Sequence, residues 1–553
     1  MKSRTSFFNP SLLRKDIVRF APAWVLYGAF LLLEFSGSIL GYDRASVARA
    51  LGNSIGIFGI YNLFYAMLCA QLLFGDLFQS RMCNALHALP IRREGWFVTH
   101  LLAGFAFCAI PVAAAGLVFL AVLGSYWMAA LLWMAALLLQ FVFFYAIAVL
   151  STMLVGNRFA AIVVYCILNF LSAIAFWLFN ALYQPHLYGF VMDETPFLQL
   201  CPVVWMVTFP YSTAVSKTGT VLLQEGWGYL AICFAVGLAA LGISLLLYRK
   251  RALEKAGDFI VFKSTAPVFL VLYTFSAGAF LHLFSNMFIG KSTEFVFLIV
   301  GLTIGFFTGL MLLQRTIRVF RGRAFAQFGI LMAVFGLTLL LTVLDPFGIT
   351  RWTPDANDVK WVSLDYYGEE AQQEHAITDK ALIQQVLSIH QHAVENPQEA
   401  ANGHPDAQIL LAYKMKNGQI VQRQYYIDTG TVAAITLEHV MSQPEIIFGS
   451  DYATVDTLLE EVRCVEFNKY ADTQLITDRE QIRGLIEALM ADAQAGNLCQ
   501  DWTLQRDNGE QYHLYIEGKS RLSPNGNNTS EYWTISYTPQ SVNTMRWVRE
   551  NVK

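Results

Sequence analysis

The chain is predicted to be a polytopic α-helical membrane protein that carries a C-terminal α+β domain, and three observations predict it. Of 553 residues, 55% are hydrophobic and only 14% charged, more apolar than a soluble domain of ordinary composition. The apolar residues fall in long uncharged runs that stop near Asp345, beyond which the sequence is polar and charge-rich. The charge balance inverts at the same place: residues 1–344 hold 22 Lys and Arg against 11 Asp and Glu, and residues 345–553 hold 16 against 30.

A bilayer core of about 30 Å needs roughly 20 apolar residues per helix. Nine stretches come close to that length, near 21–41, 54–78, 96–123, 127–154, 159–183, 227–248, 266–288, 293–314 and 326–344. The first exceeds the apolar core of an ordinary secretory signal and is read as a retained anchor. With the N-terminus inside, the inner segments hold 18 Lys and Arg and the outer loops 4. This bias predicts a cytoplasmic N-terminus in the plasma membrane, and an odd number of spans then places the C-terminal domain outside the cell.

Residues 1–20 precede the first span. Over Ser11–Phe20 the residues Leu13, Ile17 and Phe20 share one helical face, with Arg14, Lys15 and Asp16 largely off it, which predicts an amphipathic interface helix. Between the fifth and sixth spans, 184–226 holds the apolar stretch Phe197–Tyr211, interrupted by Pro202 and Pro210. It is too short for a span and too apolar for a loop, which predicts a re-entrant or interface-lying element. Glu34 lies within the first predicted span, where a carboxylate is costly unless it faces protein or water. It is a candidate for the translocation path, against a partner in the bundle or a span that ends near it.

The connection after the second span reads Ser80-Arg-Met-Cys-Asn-Ala-Leu-His-Ala-Leu-Pro-Ile-Arg-Arg-Glu-Gly-Trp96. Leu86 and Leu89 are at helical spacing, Pro90 stops the helix, and Arg81, Arg92, Arg93 and Glu94 flank it. This suits docking on another protein, and equally suits arginines that only enforce topology. The order of parts, from an amphipathic helix through two spans to Arg81, Leu86, Leu89, Pro90, Ile91 and Arg92 ahead of the third, resembles the type-2 ABC transporter permeases. The kind with a large C-terminal extracellular domain in Gram-positive bacteria is the most similar. The resemblance covers residues 1–248, a six-span unit at 21–248. It implies that segment 80–95 is the coupling helix seated on an ATPase subunit, and that the 184–226 loop is re-entrant. It also implies a second permease subunit, identical or not, a pair of ABC ATPase subunits that bind ATP and Mg²⁺, and outward transport. The three spans in 249–345 and the domain at 346–553 depart from the minimal family pattern.

The motifs of enzymes are missing. Gly290-Lys291-Ser292 and Gly518-Lys519-Ser520 match the end of a phosphate-binding loop, but Ser285 and His513 stand where its first glycine belongs. His390 and His392 do not share a helical face and are read as surface histidines, and neither H-E-x-x-H nor G-x-S-x-G occurs. The chain is therefore expected to be non-catalytic, with no catalytic or metal residues, no cofactor of its own and no nucleic-acid partner. Six of the eight cysteines lie in the apolar part as small core residues, and pairing of Cys464 with Cys499 is left open.

The C-terminal region repeats itself: Ile377-Thr-Asp-Lys-Ala-Leu-Ile recurs as Ile476-Thr-Asp-Arg-Glu-Gln-Ile at a spacing of 99. Each copy starts a helix with Thr-Asp, the second with a Thr477 to Glu480 capping-box pattern. Strands near 361–367 and 463–467 precede the helices. Hairpins around Asn417-Gly418 and Asn508-Gly509 follow them, so the domain is predicted as two β-α-β-β repeats. No catalytic cluster recurs in the copies. A net charge of −14 would draw cationic ligands such as basic antimicrobial peptides or other amphipathic compounds, or simply solvate the surface. The reading from another class is a sensory or scaffold membrane protein whose outer domain binds a ligand.

Overall fold

The computed structural model describes residues 7–552 except 35–42, 88–90, 193–194, 209–213, 216–220, 223–225, 253–256, 290–292, 366–375, 398–406, 428–430, 450–451, 470–471, 499–511, 519–520, 523–527, 530–531 and 538. It divides into two units. The first comprises Met1–Leu182 and Glu194–Phe335, the second Tyr183–Asp193 and Gly336–Lys553.

The first unit is helical. Helix α1 (Pro10–Arg19), capped by Asn9, bends by 61° into α2 (Ala21–Glu34). Then follow α3 (Arg44–Leu73), the short α4 (Ser80–His87), α5 (Arg93–Leu123), α6 (Trp127–Leu154) and α7 (Arg158–Leu182). The short helices α8 (Thr195–Gln199) and α9 (Pro202–Thr208) precede α10 (Gly226–Lys250), α11 (Ala266–Phe288), α12 (Glu294–Gln314) and α13 (Gly322–Leu344), which from Gly336 onward is counted with the second unit. Among the described residues, seven helical stretches are long and apolar enough to cross a membrane, so the chain is a polytopic helical membrane protein. One of the seven, the 62 residues of Arg93–Leu154, would be about 93 Å long at 1.5 Å per residue. It is in fact α5 and α6, packed against each other and joined by Gly124–Tyr126.

The predicted stretches coincide with helices, and their boundaries differ where polar residues hide a helical turn. Helix α3 starts at Arg44, ten residues before the predicted 54, because Val47, Ala48 and Leu51 on its polar-looking first turns are buried. Helix α6 is the centre of the bundle, packing on α3, α5, α7 and α10. Its Gln140 joins a buried polar chain: Tyr27 Oη donates to Asn62 (2.8 Å), Asn62 Nδ2 to Gln140 (3.2 Å), and Gln140 Nε2 to the Ile55 carbonyl (2.8 Å). Pro111 inside α5 has no N–H for the carbonyl four residues back, Phe107, and Tyr65 Oη donates to that carbonyl at 2.8 Å instead.

Within the predicted apolar stretch the described residues up to Thr208 form α8 and α9, broken at Leu200 and Cys201 ahead of Pro202, and Pro210 lies outside the described residues. Met206 and Cys201 are buried; Phe197 packs against Phe176 of α7, and Tyr229 of α10 donates to the Gln199 carbonyl. The helix pair is thus held within the bundle. Helices α11 and α12 pack closest of all through Gly301, Gly305 and Gly309, spaced four apart. A Cβ on Gly301 would sit 2.8 Å from the Ala277 carbonyl oxygen, and one on Gly305 2.7 Å from Ala277 Cβ.

The second unit contains the repeats. In the first, β1 (Val359–Asp365) is followed by α14 (Lys380–Glu395), β2 (Ala407–Met415) and β3 (Ile420–Ile427); the strands form an antiparallel sheet in the order β1-β2-β3, and Ile377 bridges to Val362 on the free side of β1. Helix α15 (Val432–Met441) covers this half and α16 (Val455–Glu461) leads to the next. The second repeat comprises β4 (Val462–Lys469), β5 (Asp472–Ile476), α17 (Arg479–Gln494), β6 (Tyr512–Gly518) and β7 (Tyr532–Tyr537), closed by α18 (Val542–Asn551), with strand order β7-β6-β4-β5. Ile476 pairs with Val465 as Ile377 pairs with Val362, so the sheets match strand for strand. Each half has its own core.

Two expectations are corrected here. The second hairpin is not formed around Asn508-Gly509, which lies outside the described residues: β6 pairs with β4 on one side and with β7, which follows it in the chain, on the other. The helix cap is Asp478, whose carboxylate accepts from Gln481 N, so Thr477 lies outside the helix and no box forms with Glu480; the box is on Thr454 and Thr457. Cys464 donates to Glu517 Oε2 at 3.1 Å, and Cys499 lies outside the described residues.

Leucine at Gly305 should lower the stability of the solubilised chain by about 1–3 kcal/mol, because the helix pair cannot part without losing its whole seam. Thermal unfolding in detergent checks this. Gly329→Leu, where an added Cβ meets nothing within 4 Å, should leave the midpoint unchanged.

Candidate functional site

The 80–95 connection stands on a buried polar hub formed where five elements end. Its centre is Arg251, the residue after α10, whose side chain is 2% exposed. Its Nη1 donates to the carbonyls of Thr152 (2.7 Å), Met153 (3.2 Å) and Val155 (2.8 Å), and Nη2 to that of Leu77 (3.3 Å). These acceptors are the last turn of α6 and the end of the 3₁₀ turn after α3, where carbonyls have no partner within the helix and the dipole favours a cation. Burial pulls the Arg251 guanidinium down only to about 10, so the charge persists at neutral pH.

Aromatic rings enclose the hub. Tyr248 stacks on Trp96 at 5.8 Å, Phe74 lies against Trp96 and Phe97, and His100 is 4.1 Å from the Trp96 ring. His100 Nδ1 lies 2.9 Å from Asp16 Oδ2 with both side chains buried, and Tyr145 Oη donates to the His100 carbonyl. Asp16 is thus not off the apolar face of α1. It points into α5 with Leu13, Ile17 and Phe20 around it, because a helix docked on protein can bury a charge that has a partner. The amphipathic helix is anchored to the bundle by this pair and by Asn9 N donating to Thr99.

The sequence-predicted residues separate into two groups. Arg93 and Glu94 belong to the hub: Arg93 Nη2 donates to the Arg251 carbonyl (3.3 Å) and its guanidinium lies over Tyr248, while Glu94 pairs with Arg249 at 3.3 Å. Arg81 and Arg92 are exposed, Arg92 lying over the Phe7 ring at 5.2 Å. Leu86 lies in α4, but its side chain, with Leu89 and Pro90, falls outside the described residues. Glu34 is the last residue of α2 and exposed, at the helix end and away from this cluster. Sequence reasoning missed Asp16, His100, Tyr248 and Arg251. Arg251 was hidden in the run Arg249-Lys250-Arg251, which reads as topology-setting charge.

In the second unit the structure corrects the reading of His390 as a surface residue. His390 has no exposed surface, and its Nδ1 and Nε2 are 3.0 Å and 2.8 Å from the hydroxyls of Tyr413 and Tyr425 on β2 and β3. It faces the sheet from the same side of α14 as Ile383, Val386 and Ile389, as a helical period requires. Beside it Arg423 is buried, donating to the Ile349 carbonyl and lying over the rings of Phe190 and Trp352. The segment Tyr183–Asp193 thereby forms part of this unit: Phe190 bridges to Arg423, Gln424 N donates to the Gly189 carbonyl, and Tyr188 packs on Tyr425. Gly189 has φ 73° and would place a Cβ 2.1 Å from the Tyr425 ring, so only glycine fits. Among the described residues no group of His, Cys, Asp and Glu could hold a metal ion.

Burial first and Arg423 second hold the His390 imidazole down to about 3, against 6.5 in the unfolded chain. Between those values only the unfolded state takes up the proton, so stability is complete above pH 6.5 and falls as the pH drops towards 3. The loss should reach about 2 kcal/mol at pH 5. Thermal unfolding of the full chain at pH 7 and pH 5 should show it, and His390→Gln should flatten this dependence.

Comparison with protein-family models, with curated proteins and with solved structures found no match to this chain.

Proposed function

We propose that this chain is the membrane-spanning subunit of an ATP-driven exporter of the type-2 ABC kind, working in a pair with separate ATPase subunits that hold ATP and Mg²⁺. The observation that carries this reading is α4. It is an eight-residue helix between two long helices, with Arg81 and Met82 exposed and Cys83 buried, and the hub joins its flanks to the ends of α3, α5, α6 and α10. A push on α4 therefore reaches several spans as one rigid body, as conversion of ATPase closure into tilting of the bundle requires. Nine spans with an inside N-terminus and an outside C-terminal domain complete the reading.

The C-terminal unit is proposed to capture or shield substrate, with cationic amphipathic compounds favoured by its acidic charge. Its Tyr183–Asp193 strap continues directly into α8 and α9, which gives ligand binding there a covalent route to the re-entrant pair. That strap is also the observation favouring the second reading, a ligand-sensing membrane protein.

Two measurements test the proposal. The chain should co-purify with an ABC ATPase subunit from its own cells, and Arg81→Glu with Arg92→Glu, both exposed positions, should abolish association while leaving the melting midpoint unaltered. Association that persists would remove α4 from the role. For orientation, a cysteine at the exposed turn residue Asn417 should be labelled by an impermeant thiol reagent in intact cells, and labelling only after lysis would reverse the topology.

A further inference from the structure

The turn joining α12 to α13 holds Arg315, Arg318 and Arg321, Arg323 lies in the first turn of α13, and no acidic residue occurs between Glu294 and Asp345. Arg315 is paired with Asp258 at 3.0 Å. The other three guanidiniums are exposed and, among the described residues, face no carboxylate within ion-pair distance. Arg321 and Arg323 line a cavity of about 480 Å³, walled by Leu270, Leu310 and Val319 and edged by Gln314 and Gln327. The N-terminus of α13 opens at Gly322 between them, and the positive end of its dipole adds to the potential there.

Apolar surface surrounds this positive site. Ile317, Phe320 and Phe325 are 78%, 58% and 52% exposed beside the arginines, and only 6% of the apolar window of α13 is buried. A free inorganic anion would use the cations and leave that surface in water. An anionic headgroup carrying acyl chains uses both.

We propose that this cavity binds the phosphate headgroup of an anionic phospholipid through Arg321 and Arg323, with the acyl chains lying along the uncovered face of α13. The site does not depend on the exporter reading. It requires only that α12 and α13 lie in a bilayer.

The test is native mass spectrometry of the full chain taken from mixed phosphatidylcholine and phosphatidylglycerol vesicles. The unmodified chain should retain phosphatidylglycerol in preference to phosphatidylcholine. Arg321→Gln with Arg323→Gln should lower that retention by about 25-fold, roughly fivefold per cation at an anionic surface. Arg14→Gln with Lys15→Gln, which removes two cations from another interfacial helix, should leave it unchanged. Excess inorganic phosphate should displace little of the retained lipid. Unaltered retention in the Arg321 and Arg323 variant overturns the proposal, as does an equal loss in the control. Displacement by inorganic phosphate without a preference between the lipids would assign the site to free phosphate and overturn it too.

Discussion

The membrane unit depends on one buried guanidinium. Arg251 accounts for carbonyls at the ends of two separate chain segments, where helices stop and the backbone has no internal partner. Five donors in a rigid plane let one side chain reach four carbonyls, which a lysine ammonium with three donors could not do in that geometry. The connections at that end follow from this closure: Arg93 is drawn to the Arg251 carbonyl, Glu94 to Arg249, and Asp16 to His100 beneath the same aromatic rings.

The same demand for satisfied backbone recurs deeper in the bundle and is met differently each time. Proline at 111 frees a carbonyl, and a tyrosine from α3 bonds it. Glutamine at 140 is held by a carbonyl and an asparagine. Among apolar helices these bonds fix which faces meet, whereas dispersion alone would allow many registers. The glycine seam of α11 and α12 is the complementary device, in which close approach replaces polar specificity.

In the C-terminal unit, duplication supplies two sheets of the same order, and their differences mark what each copy adds. His390 on α14 bonds two tyrosine hydroxyls, whereas the corresponding position of α17, 99 residues on, is the buried Leu489. Both copies bury hydrogen-bonded polar groups: His390 and Arg423 beside the 183–193 strap in the first, and Asp492, which accepts from Asn543 and Thr544, in the second.

Composition and local pattern determined much of this protein. Runs of apolar residues specify helices whatever their neighbours, Thr-Asp pairs specify where α14 and α17 begin, and the repeat specifies two equivalent sheets. Segment 80–95 was legible as a short helix with charged flanks because proline, leucine spacing and arginines are local signals. What only the tertiary structure decided is which charges are structural. Arg93, Asp16 and Arg251 look in sequence like other interfacial charges, and His390 like a surface histidine; each is held because elements distant in sequence bring it carbonyls, an imidazole or hydroxyls. The hairpin partner of Tyr512–Gly518 was undecidable for the same reason, since only the sheet selects its neighbours, β4 and β7. Long-range pairing has no period to read, and the chemistry of the hub is long-range pairing throughout.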